Sequence, residues 1–260
     1  MKTGGRRSIR IGVGGWTYQP WRGTFFPPGL PQKQELHHAS RQLTAIEVNG
    51  TYYSTMKRES FRKWHDETPE NFVFSLKASR HATNRNQLAT AGDSIERFLQ
   101  SGIDELKGKL GPIVWQFMPT KRFDADDFSA FLQLLPNNIG GRVLRHVMDV
   151  RHESFACDAY LTLARRHKVA TVYTDAKKFP RIEEPTSDLM YARLMNCSAR
   201  FKSGYAPKAL DALAGQAQAW AENGSNNKAH ARDVFIFFIN GAKEKAPAAA
   251  GALIERMGKA

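Results

Sequence analysis

The sequence predicts an α/β fold, a single (β/α)8 barrel, and three observations carry that reading. Strand-like apolar runs recur about eight times, helical patterns fall between them, and nearly every run ends in a charged or amide residue. Alternating strands and helices argue for a parallel sheet, and eight such units close most naturally into a barrel. The length of 260 residues is close to the ~250 typical of that architecture.

The elements follow in order. The first strand falls near Arg10–Val13, and Gly14 to Pro31 then forms a long loop rich in Gly, Pro and aromatics. Loops of this kind in compact folds serve function or pack as caps, so this one is expected to fold over the barrel mouth. A helix over Gln32–Leu43 leads to a strand at Ala45–Val48, and a helix over Ser60–Glu67 leads to one at Phe72–Lys77. Ser94–Leu99 is helical before the strand at Ile113–Phe117. The helix Asp126–Leu135 sets Phe128, Phe131, Leu132 and Leu135 on one face and stops before Pro136. Arg145–Arg151 is the fifth strand, Asp158–His167 the following helix, and Val169–Tyr173 the sixth strand. Lys177 to Asp188 shows no helical period, so the sixth unit is expected to be irregular. Leu189–Leu194, the helix Lys208–Asn223, the strand Val234–Ile239 and the helix Ala248–Met257 complete the series. The last strand, Val-Phe-Ile-Phe-Phe-Ile, is apolar on both faces, as a parallel strand buried under helices should be. Residues 1–8 read as a flexible basic terminus and 9–260 as one barrel domain.

Composition narrows the class. The chain is 42% apolar with a mean hydropathy of −0.49, and no run approaches the ~18 apolar residues of a membrane span. Neither a signal peptide nor a membrane partner is expected, and a cytoplasmic location is the default. Cys157 and Cys197 lack metal-site spacing and read as packed thiols. The net charge of +13 raises nucleic acid as a partner, but the basic residues are spread widely. A solvated basic surface is the favoured explanation of that charge. No Walker motif, zinc signature or Gly-x-Ser-x-Gly elbow is present, and Gly12-Val-Gly14-Gly15 lacks the third spaced glycine of a nucleotide loop. The oligomeric state is not legible.

Several fragments in fixed order carry a family resemblance. They are Gly12-Val-Gly-Gly-Trp16-Thr-Tyr18, Ile46-Glu47-Val48-Asn49-Gly50-Thr51-Tyr52-Tyr53 and Thr68-Pro69-Glu70-Asn71-Phe72 through Lys77. Lys109-Leu110-Gly111-Pro112 through Pro119, Asp149-Val150-Arg151-His152 and Tyr191-Ala192-Arg193-Leu194 continue the series. Together they resemble the family catalogued as domain of unknown function 72, whose members are TIM-type barrels. Three positions depart from the family pattern. Asp149 stands where a Glu is usual, Met195-Asn196 follows Arg193-Leu194 where His-Gly is usual, and Asn240 is followed by Gly241 rather than a second Asn. The resemblance implies architecture and candidate positions but no reaction.

The strand ends supply the candidate site. Side chains alternate along a strand, so Glu47 and Asn49 share one face, as do Asp149 and Arg151. Glu47 and Asp149 are the acid–base candidates, and Lys77 would stabilise developing negative charge. Arg151 and Arg193 could grip a carboxylate or phosphate bidentately. Asn49, Gln116 and Asn240 add neutral hydrogen-bonding groups, Asp175 a further carboxylate, and Trp16, Tyr18 and Tyr52 stacking faces. The expected ligand is small and anionic or phosphorylated, bound without a cofactor. A structural alternative pairs Glu47 with Lys77 and Asp149 with Arg151. A metal on Glu47, Asp149 and Asp175 is disfavoured by the nearby cations. His37-His38 reads as a partly exposed helix face, and His152, on the opposite strand face or in the loop, as a residue with a local structural role.

Overall fold

Alternation along each strand decides what the barrel holds inside and what it turns toward the helices. The computed structural model describes residues 8–222 and 232–258. Eight parallel strands close in sequential order: β1 (Ile9–Gly14), β2 (Ala45–Val48), β3 (Val73–Lys77), β4 (Leu110–Gln116), β5 (His146–Asp149), β6 (Ala170–Thr174), β7 (Leu189–Leu194) and β8 (Asp233–Phe238). β8 pairs back onto β1 in parallel, with Ile11 opposite Ile236, so the barrel itself has no open edge. The helices are α1 (Glu35–Gln42), α2 (Gly50–Tyr53), α3 (Arg58–Glu67), α4 (Arg80–Thr83), α5 (Gly92–Leu99), α6 (Ala125–Gln133), α7 (Asp158–Arg166), α8 (Pro207–Glu222) and α9 (Ala246–Gly258). The strand and helix positions expected from the sequence hold to within a few residues. α2 and α4, of four residues each, are too short to show a period.

Two cores result. Outward side chains such as Ile46, Phe74, Trp115, Met148 and Ile236 pack with Leu36, Phe61, Ile95, Phe131 and Leu253 of the helices. Inward side chains Ala45, Val114, Val147, Val172, Tyr191, Phe235 and Phe237 fill the barrel. One inward step further along five strands, the residues turn polar: Glu47, Lys77, Gln116, Asp149 and Arg193. The barrel is therefore plugged by apolar side chains below and capped by a charged layer at its C-terminal end, where barrel proteins place their sites.

Tyr191 and Phe237 need room, with ring centroids 5.2 Å apart. Their neighbour β1 leaves it by offering Gly12, where a Cβ would run into the Ala45 carbonyl and meet the Phe237 ring. The glycines of the first strand thus serve barrel packing.

The first loop differs from expectation. Only its start borders the mouth, while the rest packs at the side. Trp21 and Phe26 are fully buried, Phe25 and Phe26 abut His38 of α1, and Trp21 Nε1 donates to the Lys243 carbonyl at 2.9 Å. Large apolar rings find company against α1 and the β8–α9 connection that solvent above the mouth could not offer. The sixth unit is irregular as expected, with no helix between β6 and β7. Ile182 covers the gap, and a hydroxyl chain from Tyr160 through Thr171 to Thr186 ties the segment to α7 and β6.

The terminus expected to be flexible falls on residues 1–7, outside the described residues, as does Asn223. Ser8, expected to belong to it, is instead bound to Asp233 through its N–H at 3.2 Å and its hydroxyl at 2.8 Å. Among the described residues no helix is long and apolar enough to cross a membrane.

Gly12→Ala should cost about 3 kcal/mol, because the new methyl meets backbone that cannot yield. Thermal denaturation should show a midpoint roughly 6–10 °C lower; an unchanged midpoint would mean that β1 and β2 part without cost.

Candidate functional site

Arg193, on the inward face near the end of β7, is the hub of the charged layer. Its Nε and Nη2 donate to the two carboxylate oxygens of Glu47, each at 3.0 Å. Its Nη1 donates to Asp149 Oδ2 at 2.5 Å and to Gln116 Oε1 at 3.1 Å. One guanidinium thus ties β7 to β2, β5 and β4. Arg193 is 1% exposed and Glu47 0%. Burial alone would lower the Arg193 pKa, but Glu47 and Asp149 outweigh it and hold the proton more firmly than in water. Tyr191 donates to Glu47 Oε2 at 2.8 Å from below, and Ser75 meets the same hydroxyl at 2.7 Å. Burial, then Glu47, pushes the Tyr191 phenol well above its ordinary value, so it remains a donor.

Arg151 lies just beyond β5 and closes the second half of the network. Its Nε and Nη2 donate to Asp149 Oδ2 at 3.2 and 2.9 Å, and Nη2 also reaches Gln116 at 2.8 Å. Its guanidinium lies 4.6 Å from the centre of the Phe179 ring. Phe179 belongs to the helix-free segment after β6, which therefore forms a wall of the site.

Lys77 stands apart. The expected alternative of a Glu47–Lys77 pair is not formed, because Arg193 spans the barrel and takes both oxygens of Glu47. The Asp149–Arg151 pair is present. Among the described residues, Lys77 Nζ makes no ion pair or hydrogen bond; it sits 3.8 Å over the Tyr52 ring. Burial, then the nearby Arg193, lowers its pKa from 10.5 to about 8, against the opposing pull of Glu47 and Asp149. The side chain is 5% exposed and opens onto the mouth.

A cavity of about 640 Å³ occupies that mouth. Its charged lining consists of Lys77, Arg151, Lys178, Arg193 and Lys243, with no carboxylate among the described lining residues. Trp16, Asn49, Gln116 and Asn240 of the expected set also line it, and Tyr53, Met56, Trp64, Phe179, Met195 and Ile239 contribute to the wall. Glu47 and Asp149 lie beneath this floor, bonded to the arginines. Tyr18 does not reach the cavity: it packs on Trp21 and under Lys243, 4.6 Å from its ring centre. Tyr52 lies below Lys77, and the exposed neighbour Tyr53 borders the opening instead. Asp175 is turned aside, accepting from the Met195 N–H at 2.6 Å and the Tyr205 hydroxyl at 2.7 Å. It does not join Glu47 and Asp149 in one cluster. Lys178 and Phe179 carried a sequence signal only in the missing helical period around them; Lys243 and Trp64 carried none. His37 is exposed on α1, and His152 accepts from the Ser154 N–H at 3.1 Å in its own loop.

Comparison with known proteins agrees with this architecture. The family model described as "Protein of unknown function DUF72" matches residues 10–260. The UPF0759 protein YunF of Bacillus subtilis (strain 168) is 27% identical over 116 residues, covering 43% of this chain and 40% of that relative. The match thus spans about two fifths of that relative's length. The crystal structure of a DUF72 family protein from Thermotoga maritima MSB8 superposes with a TM-score of 0.77 at 18% identity, over 98% of this chain and 100% of the other. One from Enterococcus faecalis V583 gives 0.73 at 17% identity, over 96% and 95%. At these identities the likeness is one of fold.

The network and the free lysine should respond oppositely to neutralisation. Glu47→Gln leaves a buried guanidinium short of a counter-charge and should cost about 3 kcal/mol, a midpoint roughly 6–10 °C lower. An unchanged midpoint would show that Glu47 is not needed to hold Arg193.

Lys77→Met should instead raise stability at pH 7 by about 2–3 kcal/mol. The folded chain releases the Lys77 proton near pH 8 and the unfolded chain near 10.5. Between those values the unfolded state binds more protons, so the wild type gains stability as pH rises. The advantage of the variant should therefore be full below pH 8 and gone by about 10.5. Denaturant titrations across that range check it, and a variant less stable at pH 7 would contradict the account.

Proposed function

The chain belongs to the DUF72 family, and from the charge of its barrel mouth we propose that it is a cofactor-independent enzyme, or a ligand-binding protein built on the same site, that takes a small anionic or phosphorylated ligand. The observation that carries the reading is the lining of the cavity. Among the described residues five cationic side chains border it, while the two carboxylates of the layer lie beneath, bonded to Arg193 and Arg151. An anion entering the mouth meets attraction from the whole charged lining at a partly dehydrated position, where charge interactions are stronger than in water.

The roles divide by availability. Arg151 offers its Nη1, which makes no hydrogen bond to a described residue, and its orientation is held by Asp149, Gln116 and Phe179. Lys77 offers an ammonium that makes no ion pair or hydrogen bond to a described residue. Lys178 and Lys243 at the rim draw the ligand in. Asn49 and Asn240 supply neutral hydrogen bonds, and Trp16 offers apolar ring surface to an organic body. Glu47 and Asp149 act as positioning residues, because they reach the ligand only through Arg193 and Arg151. That supports a different division of labour from the one their residue types suggest.

The mixture of cations with Trp16, Tyr53 and Trp64 also favours a second reading, in which a nucleic-acid strand supplies the anion. One experiment separates the two. Calorimetry and thermal shift with inorganic phosphate, small phosphate esters and carboxylates should show stabilisation of the wild type, about 2.7 kcal/mol at a hundredfold excess over Kd. The response should be lost in Arg151→Ala and Lys77→Met. Binding of oligonucleotides alone, with a steep salt dependence, would support the second reading. No response to any anion would overturn both.

A further inference from the structure

We propose that Lys77 is an imine-forming residue and that the ligand of the mouth is a small aldehyde or ketone carrying a carboxylate or phosphate. The inference rests on the reading of the mouth as an anion site and adds the chemistry done there.

Geometry supports it first. A lysine placed inside a barrel for stability alone should be paired, since a buried lone ammonium costs free energy. Glu47 and Asp149 are both near enough to influence Lys77, yet both oxygens of Glu47 and Oδ2 of Asp149 are taken by Arg193 and Arg151, and no described carboxylate comes within ion-pair distance of Lys77. The side chain stems from the end of β3, on the rigid barrel wall, with its amine held 3.8 Å over the Tyr52 ring, and the residue lines the cavity. Thr51 reinforces this strand end by donating to the Lys77 carbonyl at 2.7 Å. A nucleophile must be held rigidly while its reactive atom stays accessible. Lys77 meets both demands.

Burial acts in the same direction, while the charges around Lys77 divide. Burial, Arg193 and Arg151 favour the neutral amine, while Glu47 and Asp149 oppose them. At pH 7.5 an amine of pKa about 8 is about a quarter neutral, whereas one at 10.5 is about 0.1% neutral. The Tyr52 ring face, which attracts cations, would also stabilise the positive iminium that replaces the ammonium.

The step balances without an oxidant or a reductant. The amine lone pair attacks the carbonyl carbon and a C–N bond forms. The C–O π pair moves to oxygen, and the proton released by nitrogen ends there, giving a carbinolamine. A second proton from solvent converts the hydroxyl to water, which leaves as the nitrogen lone pair closes the C=N bond. One amine, one carbonyl and one proton become one iminium ion and one water. The iminium then draws electrons from the adjacent carbon, so that a C–H or C–C bond there can break. Arg151 and the rim lysines would hold the anionic group of the ligand and so fix which carbonyl reaches Lys77.

Borohydride trapping tests it on the wild-type chain. Pyruvate and glycolaldehyde phosphate are each incubated with the protein at pH 7.5. Sodium borohydride then delivers hydride to any imine carbon and makes the bond permanent, and the adduct is mapped by peptide mass spectrometry. Lys77 should be labelled at least tenfold more than the exposed Lys202 and Lys208. Excess inorganic phosphate should suppress the labelling, and Lys77→Arg should abolish it at that position. Labelling of Lys77 no greater than that of the surface lysines overturns the imine. If either compound raises the thermal midpoint and phosphate competes, yet no adduct forms at Lys77, the imine falls and the anion site stands. If neither compound binds or labels and phosphate has no effect, both readings fall.

Discussion

The buried guanidinium of Arg193 is the constraint on which the rest of the site depends. Once it lies inside a barrel, its charge must be met by carboxylates at hydrogen-bond distance, and only inward positions on other strands can supply them. Glu47 and Asp149 do so from β2 and β5, and Gln116 from β4 takes a remaining donor. Four strands far apart in sequence are thereby tied at one height. The apolar layer beneath, with Tyr191 and Phe237, keeps water from this network and makes the pairing strict.

That arrangement decides the chemistry of what lies above it. Because the acids lie below the floor, bonded to Arg193 and Arg151, the charged side chains among the described lining residues are all positive, and Lys77 has no ion-pair partner among the described residues. A lysine with a carboxylate of its own would hold its proton tightly and remain inert as a nucleophile. A lysine deprived of one, under partial burial and beside two arginines, holds it loosely. The reactivity argued for Lys77 is thus a consequence of how Arg193 is satisfied.

The departures from an ideal barrel serve the same mouth. A helix after β6 would have carried the chain away from the opening; without one, the segment stays over the rim and brings Phe179 against Arg151. The first loop does the reverse. Its buried rings pull it down beside α1, leaving Trp16 and Thr17 at the rim and the cavity open. Openness and a partly enclosed floor together suit a site that admits a small molecule and still dehydrates one amine.

Much of this was legible in the residues themselves. Local periodicity is a property of short segments, so the eight strands, the main helices and the helix-free sixth connection could be read directly. The strand-end candidates could be read too, since a period of two puts Glu47 with Asn49, and Asp149 with Arg151, on one face of their strands, and Lys77 and Arg193 stand at the ends of others. What alternation does not carry is which inward residues meet across the barrel. Glu47 and Arg193 are 146 positions apart, and strand stagger and side-chain reach brought them together in place of Glu47 and Lys77. The same lack of long-range information left Tyr18 and Asp175 among the candidates, although one packs beside Trp21 and the other turns toward Tyr205. Segment chemistry determined the fold and the strand ends; tertiary structure alone decided the pairing, because an ion pair depends on distance in space and on burial.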